Sequence, residues 1–164
     1  MIKKINILFL TMFAVGRSEY APGTVASFIT AIIFIFFYNF KINILILIFS
    51  ISMVFVYSVY AIDRFKDAFD EVDAKEIVID ELVGQSIPIL TIYSFLEKND
   101  ARNFITYTLI AFILFRLFDI FKPYPINKID KNMKNGFGVM FDDIIAGIFS
   151  SIILLTIILL TYYE

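Results

Sequence analysis

The sequence predicts an all-α, polytopic membrane helical bundle of four to five spanning helices plus a short N-terminal interfacial helix. Three observations carry this. Residues of the AVILMFWYC set make up 60% of the 164, well above the roughly 45–50% of soluble domains even with Gly counted. The mean hydropathy is +0.83. Charged residues are only 18%, leaving several stretches near the ~20 apolar residues that cross a bilayer as a helix. The length allows one membrane-embedded domain over 1–164, with 1–23 forming an interfacial segment and the turn into the first span.

At the N-terminus, Lys3 and Lys4 precede an apolar run over 5–15. The pattern is that of a signal peptide, with 14–16 as its cleavage site. An uncleaved helix lying in the interface is the favoured reading, because 11 residues are too few to span. Residues 24–40 are uncharged and follow Pro22-Gly23, and 42–62 give 21 residues without a charge. The segment 77–96 is apolar but carries Asp80, Glu81, Gln85 and Pro88, and either spans or re-enters. Residues 104–121 carry Arg116 and Asp119; 139–163 carry Asp142 and Asp143 ahead of 20 uncharged residues. Between the second and third segments, Phe65, Phe69 and Val72 recur at helical spacing, predicting a solvated amphipathic helix within 63–76.

If all five segments cross, the loops on the N-terminal side hold ten cations: Lys3, Lys4, Arg17, Arg64, Lys66, Lys75, Lys122, Lys128, Lys131 and Lys134. The other side holds three, Lys41, Lys98 and Arg102. Positive loops stay cytoplasmic, so the N-terminus is expected inside and the C-terminus outside. Under this topology Asp80, Glu81, Arg116, Asp119, Lys122, Asp142 and Asp143 all lie at the cytoplasmic ends of their segments. The turn Ala21-Pro22-Gly23-Thr24 opens on the same side.

The chemistry available to such a site is narrow. Cys and His are both absent, which removes thiolate and imidazole metal ligands, cysteine nucleophiles and Ser-His-Asp triads. Oxygen ligands remain, and these suit Mg²⁺ or Mn²⁺. The net charge of −2 implies no nucleic-acid surface, and no protein partner is inferable. A charge at membrane depth costs roughly 2.5–3.5 kcal/mol on insertion scales. Five carboxylates against two cations leave negative charge that a divalent ion would neutralise.

Arg116, Asp119 and Lys122 follow one another at i, i+3 and i+6 and so share a helix face. Arg116 is a fork for phosphate oxygens, Asp119 a metal ligand and Lys122 a second positive charge or an interfacial snorkel. Pro123 and Pro125 stop that helix. Asp142 and Asp143 are metal ligands or helix caps at the start of the last span, and Asp80-Glu81 repeats the pattern. Pro22, Gly23 and Thr24 either initiate a helix or offer its free amides to an anion.

At these residues the chain resembles a known family, the bacterial phosphatidylglycerophosphatases A. The segments that carry the likeness are Tyr-Ala-Pro-Gly-Thr-Val-Ala-Ser (20–27), Ile-Val-Ile-Asp-Glu-Leu-Val-Gly-Gln (77–85) and the block 115–147. That block combines FR-x-x-D-x-x-KP, G-x-G-V-M and DD-I-x-AG, and the order and spacing hold from about Gly16 to Ser150. The family's motif residues fall on Pro22, Gly23, Thr24, Asp80, Glu81, Gly84, Arg116, Asp119, Lys122, Pro123, Asp142 and Asp143. Glu19, Tyr124 and Asn135 depart from the usual Pro, Trp and Gly.

The resemblance implies a Mg²⁺-dependent, multi-pass phosphatase of the bacterial inner membrane with its site on the cytoplasmic face. It would remove the terminal phosphate monoester of phosphatidylglycerol phosphate in phospholipid biosynthesis. Asp80, Glu81, Asp142 and Asp143, with Asp119, would hold one or two Mg²⁺, or Mn²⁺ in their place. Arg116 and Lys122 would stabilise the transferring group; Arg17, a local oddity outside the family's motifs, would add its charge at the lipid headgroup. Water is preferred to an aspartyl-phosphate as the route. Two alternatives stand beside this: a carboxylate-lined cation transporter, predicting metal flux without dependence on Arg116, and a CDP-alcohol phosphatidyltransferase-like enzyme, whose spaced Asp motif is absent.

Overall fold

The computed structural model describes residues 2–69, 72, 74–96 and 100–162. These residues form seven α-helices in order: α1 Ile2–Leu10, α2 Pro22–Asn39, α3 Ile44–Phe65, α4 Ile79–Phe95, α5 Ala101–Phe121, α6 Ile126–Asn132 and α7 Gly136–Tyr162. Among the described residues there is no strand. Among the described residues four helices are long and apolar enough to cross a membrane, namely α2, α3 with the turn that follows it, α5 and α7.

Local chemistry sets the boundaries. Pro22 stands at the first position of α2, where its fixed φ is already helical and its missing N–H is not needed. The Asn43 side chain caps α3 by accepting from the Leu45 amide at 2.8 Å. Asp100 caps α5 by accepting from the Asn103 amide at 3.2 Å. α5 ends at Lys122 in the left-handed conformation (φ 40°), with Pro123 beyond it. Two caps open α7: Asn135 accepts from the Gly138 amide at 2.8 Å, and Asp63 at the end of α3 accepts from the Gly136 amide at 2.7 Å.

The third apolar segment, 77–96, is the centre of the bundle. α4 packs against α2, α3, α5 and α7, and Val83, Gly84, Gln85, Ser86, Ile89 and Ile92 are among its buried residues. Its N-terminus lies beside the start of α2. Near its other end the Tyr93 hydroxyl donates toward the carbonyls of Ile42 (2.7 Å) and Phe37 (3.1 Å). α4 therefore runs through the bundle and does not re-enter. At 17 residues it is about 25 Å long, shorter than the ~30 Å hydrocarbon core.

α4 meets α7 closely through glycine. A methyl at Gly84 would lie 2.8 Å from the Asp143 carbonyl, and one at Gly147 would overlap the Gly84 carbonyl. Small residues let helix backbones approach in this way. Pro88 contributes too, since it has no N–H to pair with the Gly84 carbonyl one turn back.

α1 docks one side on α3: Leu10 is buried, and Asn6 accepts a hydrogen bond from Tyr57 at 2.6 Å. Its other side exposes Ile2, Ile5 and Leu8. Among the described residues of 63–76, the expected amphipathic helix is not seen. α3 ends at Phe65, a 3-10 turn covers Lys66–Ala68, and Phe69 is extended. Phe65, Phe69 and Val72 instead pin the connection onto the core around Leu10, Ile62 and Val78. Asp70, Glu71 and Asp73 of that segment, and Lys98 of the charge count, lie outside the described residues.

Candidate active site

The start of α2, the start of α4, the end of α5 and the first turns of α7 meet at one end of the bundle around a cavity of about 380 Å³. Ala21, Pro22 and Gly23 line it from α2, and Asp80 and Glu81 from α4. Arg116, Asp119 and Lys122 line it from the end of α5, Asp142 and Asp143 from α7. Ala74, Lys75 and Ile77 close the remaining side from the connection before α4.

Opposite charges are already matched in part. Arg116 Nη1 lies 2.6 Å from Asp119 Oδ2, the i, i+3 pair along α5. Lys122 Nζ donates to Asp130 Oδ1 and to Asp142 Oδ2, each at 2.7 Å. Burial disfavours the Lys122 ammonium, but the two carboxylates outweigh it and hold the pKa above the ordinary lysine range. Burial likewise pushes the Asp130 carboxyl up, and contact with Lys122 overrides it, leaving the pKa lowered.

Asp80, Glu81 and Asp143 make up the rest, and each can offer one oxygen within 4.8 Å of the others'. Asp143 is 3% exposed and Asp80 8%. Glu81 Oε2 and Asp143 Oδ2 are buried with no hydrogen-bond partner. Like charges packed this closely repel, and buried acceptors without donors cost about 1–3 kcal/mol each. A hard divalent cation relieves both penalties, and the donor set is all carboxylate oxygen, the chemistry such ions favour. The residues therefore fit a metal ion. On the facing wall, Arg116 Nε and Nη1 are buried without a hydrogen-bond acceptor. Despite the short contact, the ion pair with Asp119 is not aligned as a hydrogen bond.

Gly23 explains how these groups come so near. A methyl there would overlap the Glu81 carboxylate and reach 3.3 Å from Arg116 Nη1. Thr24 sits in the first turn of α2, where Ala21 is the N-cap and no side chain caps, and it does not line the cavity. Arg17 is exposed on a 3-10 turn and does not line it either.

Helix capping is not the role of Asp142 or Asp143. α7 starts at Gly136, more than a turn earlier, under its own caps. Nor does Lys122 snorkel, since two carboxylates hold it. Asp119 and Asp142, expected among the metal ligands, are the carboxylates engaged by Arg116 and Lys122. Lys75, expected only as a loop cation, lines the cavity, and Asp130, not expected at the site, holds Lys122. Lys75 lies in a charged connection that looks solvated, and no periodicity links Asp130 to Lys122 across two prolines.

The profile of the family described as phosphatidylglycerophosphatase A matches residues 8–158. The chain belongs to this family. Among its relatives, phosphatidylglycerophosphatase A of Haemophilus influenzae is 34% identical over 95% of this chain and 93% of its own length. Phosphatidylglycerophosphatase A of Escherichia coli is 32% identical over 87% and 77%. A Bacteroides thetaiotaomicron protein, provisionally named phosphatidylinositol-3-phosphatase, is 34% identical over 92% and 91%. No solved structure matches.

Proposed function

We propose that this family member hydrolyses the terminal phosphate monoester of phosphatidylglycerol phosphate in a Mg²⁺-dependent reaction of phospholipid biosynthesis. The site would lie at the cytoplasmic face of a bacterial inner membrane, within a single membrane-embedded domain. One observation carries the reading most: three buried, mutually close carboxylates face a guanidinium with two unaccepted donor nitrogens. An ion-conducting site has no use for that guanidinium.

In this reading Asp80, Glu81 and Asp143 hold the metal. When bound, it offsets their charge and withdraws electron density from the phosphoryl group. Arg116 directs Nε and Nη1 at the phosphoryl oxygens as charge builds there. Lys122 supplies a second positive charge from the same helix end. Gly23 keeps the wall between Glu81 and Arg116 free of side chain. Water attacks phosphorus, the P–O bond to glycerol breaks, and one proton of that water passes to the leaving oxygen, giving a free glycerol hydroxyl and inorganic phosphate. The acyl chains stay in lipid while the headgroup enters at the bundle end.

The name of the Bacteroides relative favours a second substrate, phosphatidylinositol 3-phosphate, which is also a phosphate monoester on a lipid headgroup. Phosphate release from both lipids in mixed micelles, with Mg²⁺ or with EDTA, decides between them. Metal-dependent release that Asp80→Asn or Asp143→Asn loses, in folded protein, is the expected result. Folded wild type that releases nothing from phosphatidylglycerol phosphate overturns the substrate assignment.

A further inference from the structure

We propose that Asp130, on the short helix α6 and outside the cavity, is a positioning residue that aims the Lys122 ammonium at the substrate phosphate. The inference rests on the phosphatase reading but concerns a residue that reading leaves idle.

An ammonium carries three N–H donors. At Lys122 two are taken, by Asp130 Oδ1 and Asp142 Oδ2, both at 2.7 Å. Lys122 and Asp142 line the cavity and Asp130 does not. Asp130 therefore grips the ammonium from behind, Asp142 grips it from the wall, and the third N–H is left for the cavity. One carboxylate would neutralise a lysine; two, from separate elements, fix its position.

The mounts on either side are rigid. Lys122 occupies the left-handed region at φ 40°, unusual for a residue with a side chain, and Pro123 follows it. α6 is anchored by Ile126, which is fully buried with Phe115 and Ala146, and it packs along α7. A flexible lysine stem otherwise loses much rotamer freedom on binding an anion. Fixing the ammonium in advance moves that loss from the binding step to the fold.

The test measures inorganic phosphate binding by calorimetry in detergent, alongside KM and kcat for phosphatidylglycerol phosphate. Variants are Asp130→Asn, Asp130→Glu, Lys122→Met and the double Lys122→Met/Asp130→Asn, each with its thermal midpoint. Asp130→Asn is expected to weaken phosphate binding and raise KM about tenfold, the usual scale for a charge-assisted hydrogen bond. The Mg²⁺ concentration for half-maximal activity should stay within about twofold. Asp130→Glu should recover most of the loss, and Asp130→Asn should add nothing in the Lys122→Met background. Asp130→Ser is read in its place where Asp130→Asn does not fold.

Unchanged phosphate affinity in Asp130→Asn, or an equal cost with and without Lys122, overturns the inference. Wild type that binds no phosphate overturns it as well. Wild type that binds phosphate in an Asp130-dependent way, yet releases none from the lipid, sinks the substrate reading and leaves this inference standing.

Discussion

Gly84→Ala tests whether the approach of α4 to α7 sets the geometry of the carboxylate group. The added methyl would lie 2.7 Å from the Phe115 ring edge, 2.8 Å from the Asp143 carbonyl and 2.9 Å from Asp143 Cβ. Ordinary contact begins at 3.4 Å, so relief needs about 0.5–0.7 Å of movement, and close-packed interiors resist that. The Phe115 ring can turn. The Asp143 backbone moves only if α7 moves, and that carries Asp143 away from Asp80 and Glu81.

Overpacking of this kind costs about 1–3 kcal/mol of stability. A 1 Å misplacement costs about a hundredfold in rate, so half to two-thirds of it predicts roughly a ten- to thirtyfold fall in kcat. The assay is phosphate release in mixed micelles over a Mg²⁺ series, with thermal melting beside it. Leu154→Ala is the comparison, because Leu154 is fully buried near the opposite end. It should cost about 2–5 kcal/mol and leave kcat within twofold below its melting point. Gly84→Ala with wild-type kcat and an unshifted melting point would show that the approach of α4 to α7 does not set the carboxylate geometry.

Three other outcomes follow from the same geometry. Gly23→Ala meets the flexible end of Glu81 rather than backbone, so it should cost under about 1 kcal/mol in melting yet lower kcat more than tenfold. Tyr93→Phe removes a hydroxyl bond at the far end and should cost about 1 kcal/mol with kcat unchanged; an altered kcat would contradict the separation of the two ends. The Lys122–Asp130 pair has its lysine pKa raised and its aspartate pKa lowered. Its stabilisation is therefore complete between the unfolded values of about 3.9 and 10.4. It fades as pH falls through the Asp130 value or rises through that of Lys122. The melting difference between wild type and Asp130→Asn should be flat from about pH 5 to 9 and shrink below about pH 4. A difference that widens from pH 6 to 4 would show the opposite linkage.

The long uncharged runs were readable because bilayer length and hydropathy alone determine them: 24–40 and 42–62 correspond to α2 and α3. The beginning of α7 was not, because one of its caps, Asp63, comes from another helix. Carboxylates and cations at alternating segment ends were enough to predict convergence at one end of the bundle. The i, i+3 relation of Arg116 and Asp119 was visible as a shared helix face, and it became an ion pair. What sequence spacing could not supply was the sharing of charge between elements. Lys122 joins Asp130 and Asp142 only after the chain has turned at Pro123 and Pro125. That pairing sets Asp142 apart from its neighbour Asp143, and two adjacent aspartates look alike in a sequence.

α4 also bears on how the protein is made. It packs against four other helices, it is only 17 residues long and holds a proline inside, and it carries Asp80, Glu81 and Gln85 into the bundle. Segments leaving the ribosome partition into lipid one after another according to their own apolarity, and each buried charge counts against them. α2 and α3 meet that condition unaided; α4 does not. Its place in the bundle rests on α2 and α3 made before it and on α5 and α7 made after it. A chain cut short before Gly136 would retain six of the seven helices described and yet lack the one that α4 meets most extensively.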